Sequence, residues 1–345
     1  MNDRIERLRA ELEESLLVTN PTNVRYLTGF ESSNTVLIVE PERVRLFTDF
    51  RYIDAARALD GVEVVQTKRS VLGELAETLS GRLGFEASTL AYAQYETLVK
   101  GGLELVARAG VVERLRAVKD DAELETIRRA CKITDRVYER LLDVRFIGRR
   151  ERDVAWDVTR LFHEEGGEGL AFETIVGSGP TGAQPHARAG NRKIGARELV
   201  VIDAGCTIDG YASDYTRTFA TGPVDGEARE AYEIVLEAQE AALGAIRPGM
   251  PGIEADAIAR RVVEESPFVG RFGHGLGHGL GLDVHELPSM STESKDVLEP
   301  GNVVTVEPGV YLAGRFGIRI EDDVVVIQDG IENLTRFRKD LLEVG

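Results

Sequence analysis

Apolar and polar positions along the 345-residue chain change period many times. In residues 1–118, strand-like apolar runs recur at 16–19, 35–39, 44–48 and 62–67. Helical spacing holds near 4–14, 52–59, 71–83 and 95–107. Helical and extended patterns in alternation predict an α/β domain around a central sheet.

A boundary follows. Asp120, with Glu123 three residues on, reads as a capping-box helix start, in which each side chain satisfies a backbone N–H near the other. Leu124, Ile127, Ala130, Cys131 and Ile133 then form an apolar stripe that continues to Val137 and Leu141. A second helix carries Val154, Ala155, Val158, Leu161 and Phe162, and two more are predicted over 227–246 and 253–265. The chain finishes with a glycine-rich stretch and two strands, 303–307 and 318–327. No tandem repeat of solenoid period is present. The predicted division is 1–118 and 119–345.

The stretch LVVIDAGCTIDGYASDYTRTF, residues 199–219, predicts a hairpin. Asp209-Gly210 is a turn pair that tolerates positive φ. With that pair at the tip, Ile208 faces Tyr211, Gly205 faces Asp214 and Asp203 faces Thr216. Asp203 and Asp214 then point to one face as diagonal neighbours, with Cα atoms roughly 7–8 Å apart. Two carboxylates so close repel unless one is protonated or a cation lies between them. Taken alone, a surface hairpin with acids facing water accounts for this in a chain with 59 acidic residues. The late strands change the balance, because they repeat the layout with Glu307 and Glu321.

Composition narrows the class. A hydrophobic content of 43% and charged content of 29% fit a soluble globular protein, and no apolar run approaches the ~18 residues of a membrane span. The charged, amphipathic N-terminus has no secretory apolar region. Two cysteines build no disulfide framework, which points to a reducing cytoplasm. A net charge of −17 argues against nucleic acid or an anionic membrane as partner. The 35 arginines against 7 lysines suit a high-salt cytoplasm or a GC-rich genome equally.

Three of the five histidines, His274, His278 and His285, fall within GHGLGHGLGLDVHE. His186 lies in a Gly/Pro-rich loop, TIVGSGPTGAQPHARAG, while His163 lies on a helix and reads as structural. The glycine run lacks the Lys-Ser/Thr of a phosphate loop. Its glycines are better explained by close backbone packing beside a site. The candidate set is therefore Asp203, Asp214, Glu307 and Glu321 with one or more imidazoles. Oxygen-rich ligation with nitrogen suits Mn²⁺, Co²⁺ or Zn²⁺. Four carboxylates balance two divalent cations, and two such ions sharing a water lower its pKa from 15.7 to about 7. No serine or cysteine nucleophile is required, and Cys206 reads as a buried, inert thiol.

These motifs, DAG…SDYTRTF, GHGLGHGLGLDVHE, TVEPGVY and GIRIED, closely resemble those of the Xaa-Pro peptidases, the proline dipeptidases and Xaa-Pro aminopeptidases of the pita-bread metallopeptidase fold. Upstream, NVRYLTGF, LFTDFRY and LRAVKDDAEL resemble a creatinase-type N-terminal domain and the start of the catalytic domain. The resemblance implies a creatinase-like α/β domain followed by an α+β pita-bread catalytic domain. It implies that Asp203 chelates one metal, that Asp214 and Glu321 bridge two, and that His278 and Glu307 bind the second. Glu307 would also shuttle a proton. His186 and His285 would hydrogen-bond the scissile carbonyl and its oxyanion, and Arg319 would orient carboxylates. His274 matches less well. The implied partners are short proline-containing peptides and a second copy of the chain, with two divalent ions as cofactor, Mn²⁺ ahead of Co²⁺ or Zn²⁺.

One departure stands out. Some proline dipeptidases have a basic residue just after His-Glu-x-Pro, placed to catch the substrate's carboxylate; here that place is Ser289. A broader or methionine-type aminopeptidase is the alternative within the class. A metal-free peptide-binding module or a creatine-amidinohydrolase-type enzyme is the alternative outside it. Metal-free relatives lack the ligand set, whereas all five positions are filled here.

Overall fold

In the computed structural model, which describes residues 3–345, the chain divides between Arg116 and Ala117. The first unit is built on a six-stranded sheet in the order Glu63–Thr67, Val44–Asp49, Thr35–Val39, Leu16–Val18, Gly81–Glu86, Leu103–Arg108. The two central pairings that join 44–49, 35–39 and 16–18 are antiparallel; the three outer ones are parallel. Leu17, Ile38, Phe47, Leu75, Leu83 and Leu98 make its core.

Two of these strands differ from the sequence expectation. The helical patterns over 71–83 and 95–107 run into the strands Gly81–Glu86 and Leu103–Arg108, because the helices stop at Thr78 and Lys100. Gly81 and Gly102 adopt φ of 96° and 100°, which closes a helix and lets the chain turn back as a strand. Leu83 and Leu103 would suit a helix equally, so local pattern does not separate the two. Pro21–Thr28 and Val111–Ala117 form helices that the apolar pattern does not reveal.

The second unit opens on helix Asp121–Leu141, and the capping box is present: Asp120 accepts from Glu123 N at 2.9 Å and Glu123 accepts from Asp120 N at 2.8 Å. Further helices span Glu151–Glu164, Gly226–Ala245 and Gly252–Glu264. A three-stranded sheet orders Tyr215–Ala220, Leu199–Ala204 and Ile175–Ser178. A five-stranded sheet orders Glu286–Met290, Gly277–Gly279, Val303–Val306, Asp322–Ile327 and Gly330–Asn333. Gly309–Leu312 and Phe316–Arg319 pair separately. The predicted strand at 318–327 is thus two strands, broken at Ile320–Glu321.

The two sheets are tied through Arg217. Its guanidinium meets Asp322 Oδ1 at 2.8 Å and donates to the carbonyls of Glu321 and Phe337 at 2.6 and 2.8 Å. Both side chains of the ion pair are buried. One apolar core packs helices Gly226–Ala245 and Gly252–Glu264 against the late strands, and another packs Asp121–Leu141 and Glu151–Glu164 against the hairpin. Among the described residues no helix is long and apolar enough to cross a membrane.

Candidate metal centre

The hairpin holds the expected register at both ends. Ile208 pairs with Tyr211 and Asp203 with Thr216, around a turn in which Asp209 and Gly210 adopt φ of 46° and 76°. It is not one continuous ladder. At Gly205 a Cβ would lie 1.7 Å from the Ser213 carbonyl oxygen, so only glycine allows the two arms to close so tightly. Asp214 stands at this break, and its amide leaves the ladder to donate to Asp323 Oδ2 at 2.9 Å.

Glycine plays the same part in the histidine-rich stretch. Side chains at Gly277 and Gly279 would meet the carbonyl oxygens of Thr305 and Leu287 at 2.0 and 2.1 Å. Close approach on both sides holds the strand Gly277–Gly279 in the sheet and turns His278 toward the acids. Glu307 and Glu321 lie one residue beyond the paired Val306 and Asp322, at the open end of that ladder.

The expected residues converge. Asp203, Asp214, His278, Glu307, Glu321, His186 and His285 all line one cavity of about 540 Å³, together with His274 and Arg319. Ligand atoms of Asp214, His278 and Glu321 lie within 4.8 Å of one another. His278 Nε2 lies 3.5 Å from Glu307 Oε1 and 3.7 Å from Asp214 Oδ2. Asp203 Oδ2 accepts from Arg319 Nη2 at 2.6 Å, while Asp203 Oδ1 is buried without a partner.

This arrangement is unfavourable without a cation. His278 Nδ1 faces the Gly279 carbonyl at 3.1 Å, and a carbonyl only accepts, so Nδ1 carries the proton. Burial, and then the neighbouring His285, lower His278 to about 4, leaving the ring neutral. Its Nε2 lone pair is thereby aimed at two carboxylates. Burial pushes Glu307 up to about 8. Burial, followed by the neighbouring acids, pushes Asp214 and Glu321 well above the usual carboxylate range. A neutral imidazole lone pair, an orphaned carboxylate oxygen and three acids that resist ionisation fit a divalent metal site.

Neighbouring side chains hold the acids in place. Thr216 Oγ1 donates to Glu321 Oε2 at 2.7 Å and accepts from Arg319 Nε at 2.8 Å. Arg319 also donates to Tyr311 Oη at 2.9 Å and to the Pro185 carbonyl at 3.2 Å, beside His186. His274 donates from Nδ1 to the Gly275 carbonyl at 2.8 Å and accepts from the Tyr311 hydroxyl at Nε2, 3.0 Å away. Both its nitrogens are therefore engaged. The loop before His186 is fastened by the buried Glu151, which accepts from Ser178 N, Ser178 Oγ, Thr181 Oγ1 and Gly190 N.

Thr216, Tyr311, Glu151 and Asp323 were not singled out from the sequence. Thr216 was within reach, since the hairpin register puts it opposite Asp203; the others carry no local signal. Cys206 is buried and its thiol is raised by burial, in keeping with an inert role. His163 is exposed on its helix, away from the cavity lining.

Comparison with known proteins agrees with this geometry. Residues 125–328 match metallopeptidase family M24, and residues 4–118 match the creatinase/prolidase N-terminal domain. The chain is 36% identical over 351 residues to the Xaa-Pro dipeptidase of Pyrococcus furiosus, covering 99% of this chain and 100% of that one. Its fold matches the Xaa-Pro dipeptidase from Bacillus anthracis with a TM-score of 0.95 at 36% identity, covering 99% of each chain. It also matches the X-Pro aminopeptidase from Thermotoga maritima with a TM-score of 0.89 at 33% identity, covering 99% of this chain and 100% of that one. A hairpin and a pair of late strands that each bring two acids to one cavity, in a unit that follows a creatinase-type N-terminal unit in sequence, are thus the pita-bread architecture, and the chain belongs to the Xaa-Pro peptidases of metallopeptidase family M24.

Proposed function

We propose that the chain is a di-metal exopeptidase that hydrolyses the bond before a proline at position two of short peptides. Asp203, Asp214, His278, Glu307 and Glu321 would hold two divalent ions, Mn²⁺ ahead of Co²⁺ or Zn²⁺. The observation that carries the reading is the neutral His278 ring whose Nε2 lone pair faces Glu307 and Asp214 at 3.5 and 3.7 Å. When bound, such ions polarise the scissile carbonyl and acidify water.

The chain's own residues would do the rest. Glu307 would take the proton from the attacking water and pass it to the proline nitrogen as the bond breaks. His186 and His285, exposed on the cavity wall, would donate to the carbonyl oxygen as it gains charge. Arg319 holds Asp203 and, through Thr216, Glu321 in fixed orientation. A cytoplasmic homodimer belongs to the same reading; two buried free cysteines suit a reducing compartment.

The test is an assay of Mn²⁺-, Co²⁺- and Zn²⁺-loaded protein against an Xaa-Pro dipeptide, an Xaa-Pro-Xaa tripeptide and a Met-Ala peptide. Cleavage of the dipeptide alone makes it a dipeptidase, and of the tripeptide alone an aminopeptidase. Turnover of Met-Ala alone, or activity that survives exhaustive chelation, overturns the reading.

A further inference from the structure

An Xaa-Pro dipeptide brings a free carboxylate into a cavity walled by Asp203, Asp214, Glu307 and Glu321. Two divalent ions would be balanced by those four acids, so the carboxylate of the substrate is left to a cation elsewhere in the cavity. The cavity offers few cations. Arg319 is buried and committed to Asp203 at 2.6 Å. His274 has both ring nitrogens engaged, by the Gly275 carbonyl and the Tyr311 hydroxyl, and His278 belongs to the proposed metal ligands. Ser289, where a basic residue was looked for, is uncharged, and its amide and hydroxyl are both bonded to Asp296 Oδ2, at 2.8 and 3.1 Å.

One guanidinium remains. Arg188 lines the same cavity and is exposed to it; among the described residues its guanidinium makes no hydrogen bond or ion pair. Arginines elsewhere in this acidic chain are commonly paired, as at Arg192–Glu198 and Arg315–Glu227. The backbone under Arg188 is well held. Ala187 is buried beside it, and Glu151 fastens Gly190 and Ser178 on either side of the loop. An unpartnered guanidinium on a fixed loop can take a bidentate carboxylate without first giving up a partner of its own.

We propose that Arg188 binds the substrate's C-terminal carboxylate and so sets the preference for dipeptides. It is a specificity-determining residue, two positions after His186, and takes the part that Ser289 leaves open. The proposal rests on the Xaa-Pro reading above.

The test compares wild-type protein with R188Q and R188K on an Xaa-Pro dipeptide and on the same dipeptide as its C-terminal amide, with metal content measured for each. R188Q should raise KM for the dipeptide about 10- to 100-fold, the range of a lost charge-assisted bond. Its kcat, its metal content and its cleavage of the amide should stay close to wild type. R188K should recover part of the dipeptide KM, since it keeps the charge and loses the fork. Equal losses on both substrates, or no loss on either, overturn the assignment while wild-type turnover of the amide leaves the Xaa-Pro reading standing. Wild-type protein inert toward both overturns the two together.

Discussion

The backbone amide of Asp214 donates to the carboxylate of Asp323, 109 residues downstream, at 2.9 Å. That bond fixes a proposed bridging ligand where its own hairpin gives it no partner. Cys131 Sγ also reaches Asp323 Oδ2, at 3.4 Å. Asp323→Ala leaves the Asp214 amide buried and unpaired, a loss of about 1–3 kcal/mol. The variant should melt lower and retain less Mn²⁺ after gel filtration, whereas Asp323→Asn should keep most of both. Equal metal retention in wild type and Asp323→Ala would show that Asp214 is held by other means.

Glu321→Gln and His186→Ala separate metal binding from catalysis. Glu321 accepts from Thr216 inside the acidic cluster, so its loss should remove metal and activity together. His186 lies on the cavity wall, and its removal should leave metal content intact while turnover falls by about 10²–10³, the loss typical of an oxyanion donor. Metal analysis beside steady-state rates decides it; a metal-free His186→Ala protein would contradict the role given to that residue.

Arg217→Ala breaks a buried ion pair that also carries the Glu321 carbonyl. Asp322 would keep only Lys339 and Asn333 as partners. Removing one member of a buried pair costs about 3–5 kcal/mol. Chemical denaturation should show a loss of that order, and a loss below 1 kcal/mol would mean that Lys339 suffices.

Glu86 supplies a pH test outside the catalytic unit. It accepts from Thr19 N at 2.6 Å, Asn20 N at 2.7 Å and Asn23 Nδ2 at 2.6 Å, yet burial holds its carboxyl above the ordinary value. A raised folded pKa means the native state binds the proton more tightly than the unfolded chain. The resulting stability is complete below the ordinary carboxylate pKa and is lost as pH rises through the folded one. Wild type should therefore lose stability relative to Glu86→Gln, whose side chain does not titrate, between pH 4 and pH 7. Wild type gaining on the variant as pH rises reverses the sign assigned to burial.

Much of the site was legible in the sequence because it depends on short-range geometry. A turn pair and a period of two put Asp203 opposite Thr216 and Asp214 on the same face, and that register is found. The capping box at Asp120 and Glu123 is equally local. The strands at Gly81–Glu86 and Leu103–Arg108 were not legible, because a short apolar run satisfies a helix or a sheet and the neighbouring parallel strand decides.

Residue types and spacing along the chain were enough to single out the four acids, their places on hairpin arms and a boundary near residue 118, while the choice among the imidazoles came from the resemblance to the Xaa-Pro peptidases. Contacts across a hundred residues decided the rest: that Asp214's amide turns to Asp323, that Arg217 ties one sheet to the other, and that His278 aims a lone pair rather than a proton at Glu307. The reason is physical. A hydrogen bond's direction and a buried group's charge depend on what surrounds it in space, and for these residues the surroundings come from distant parts of the chain.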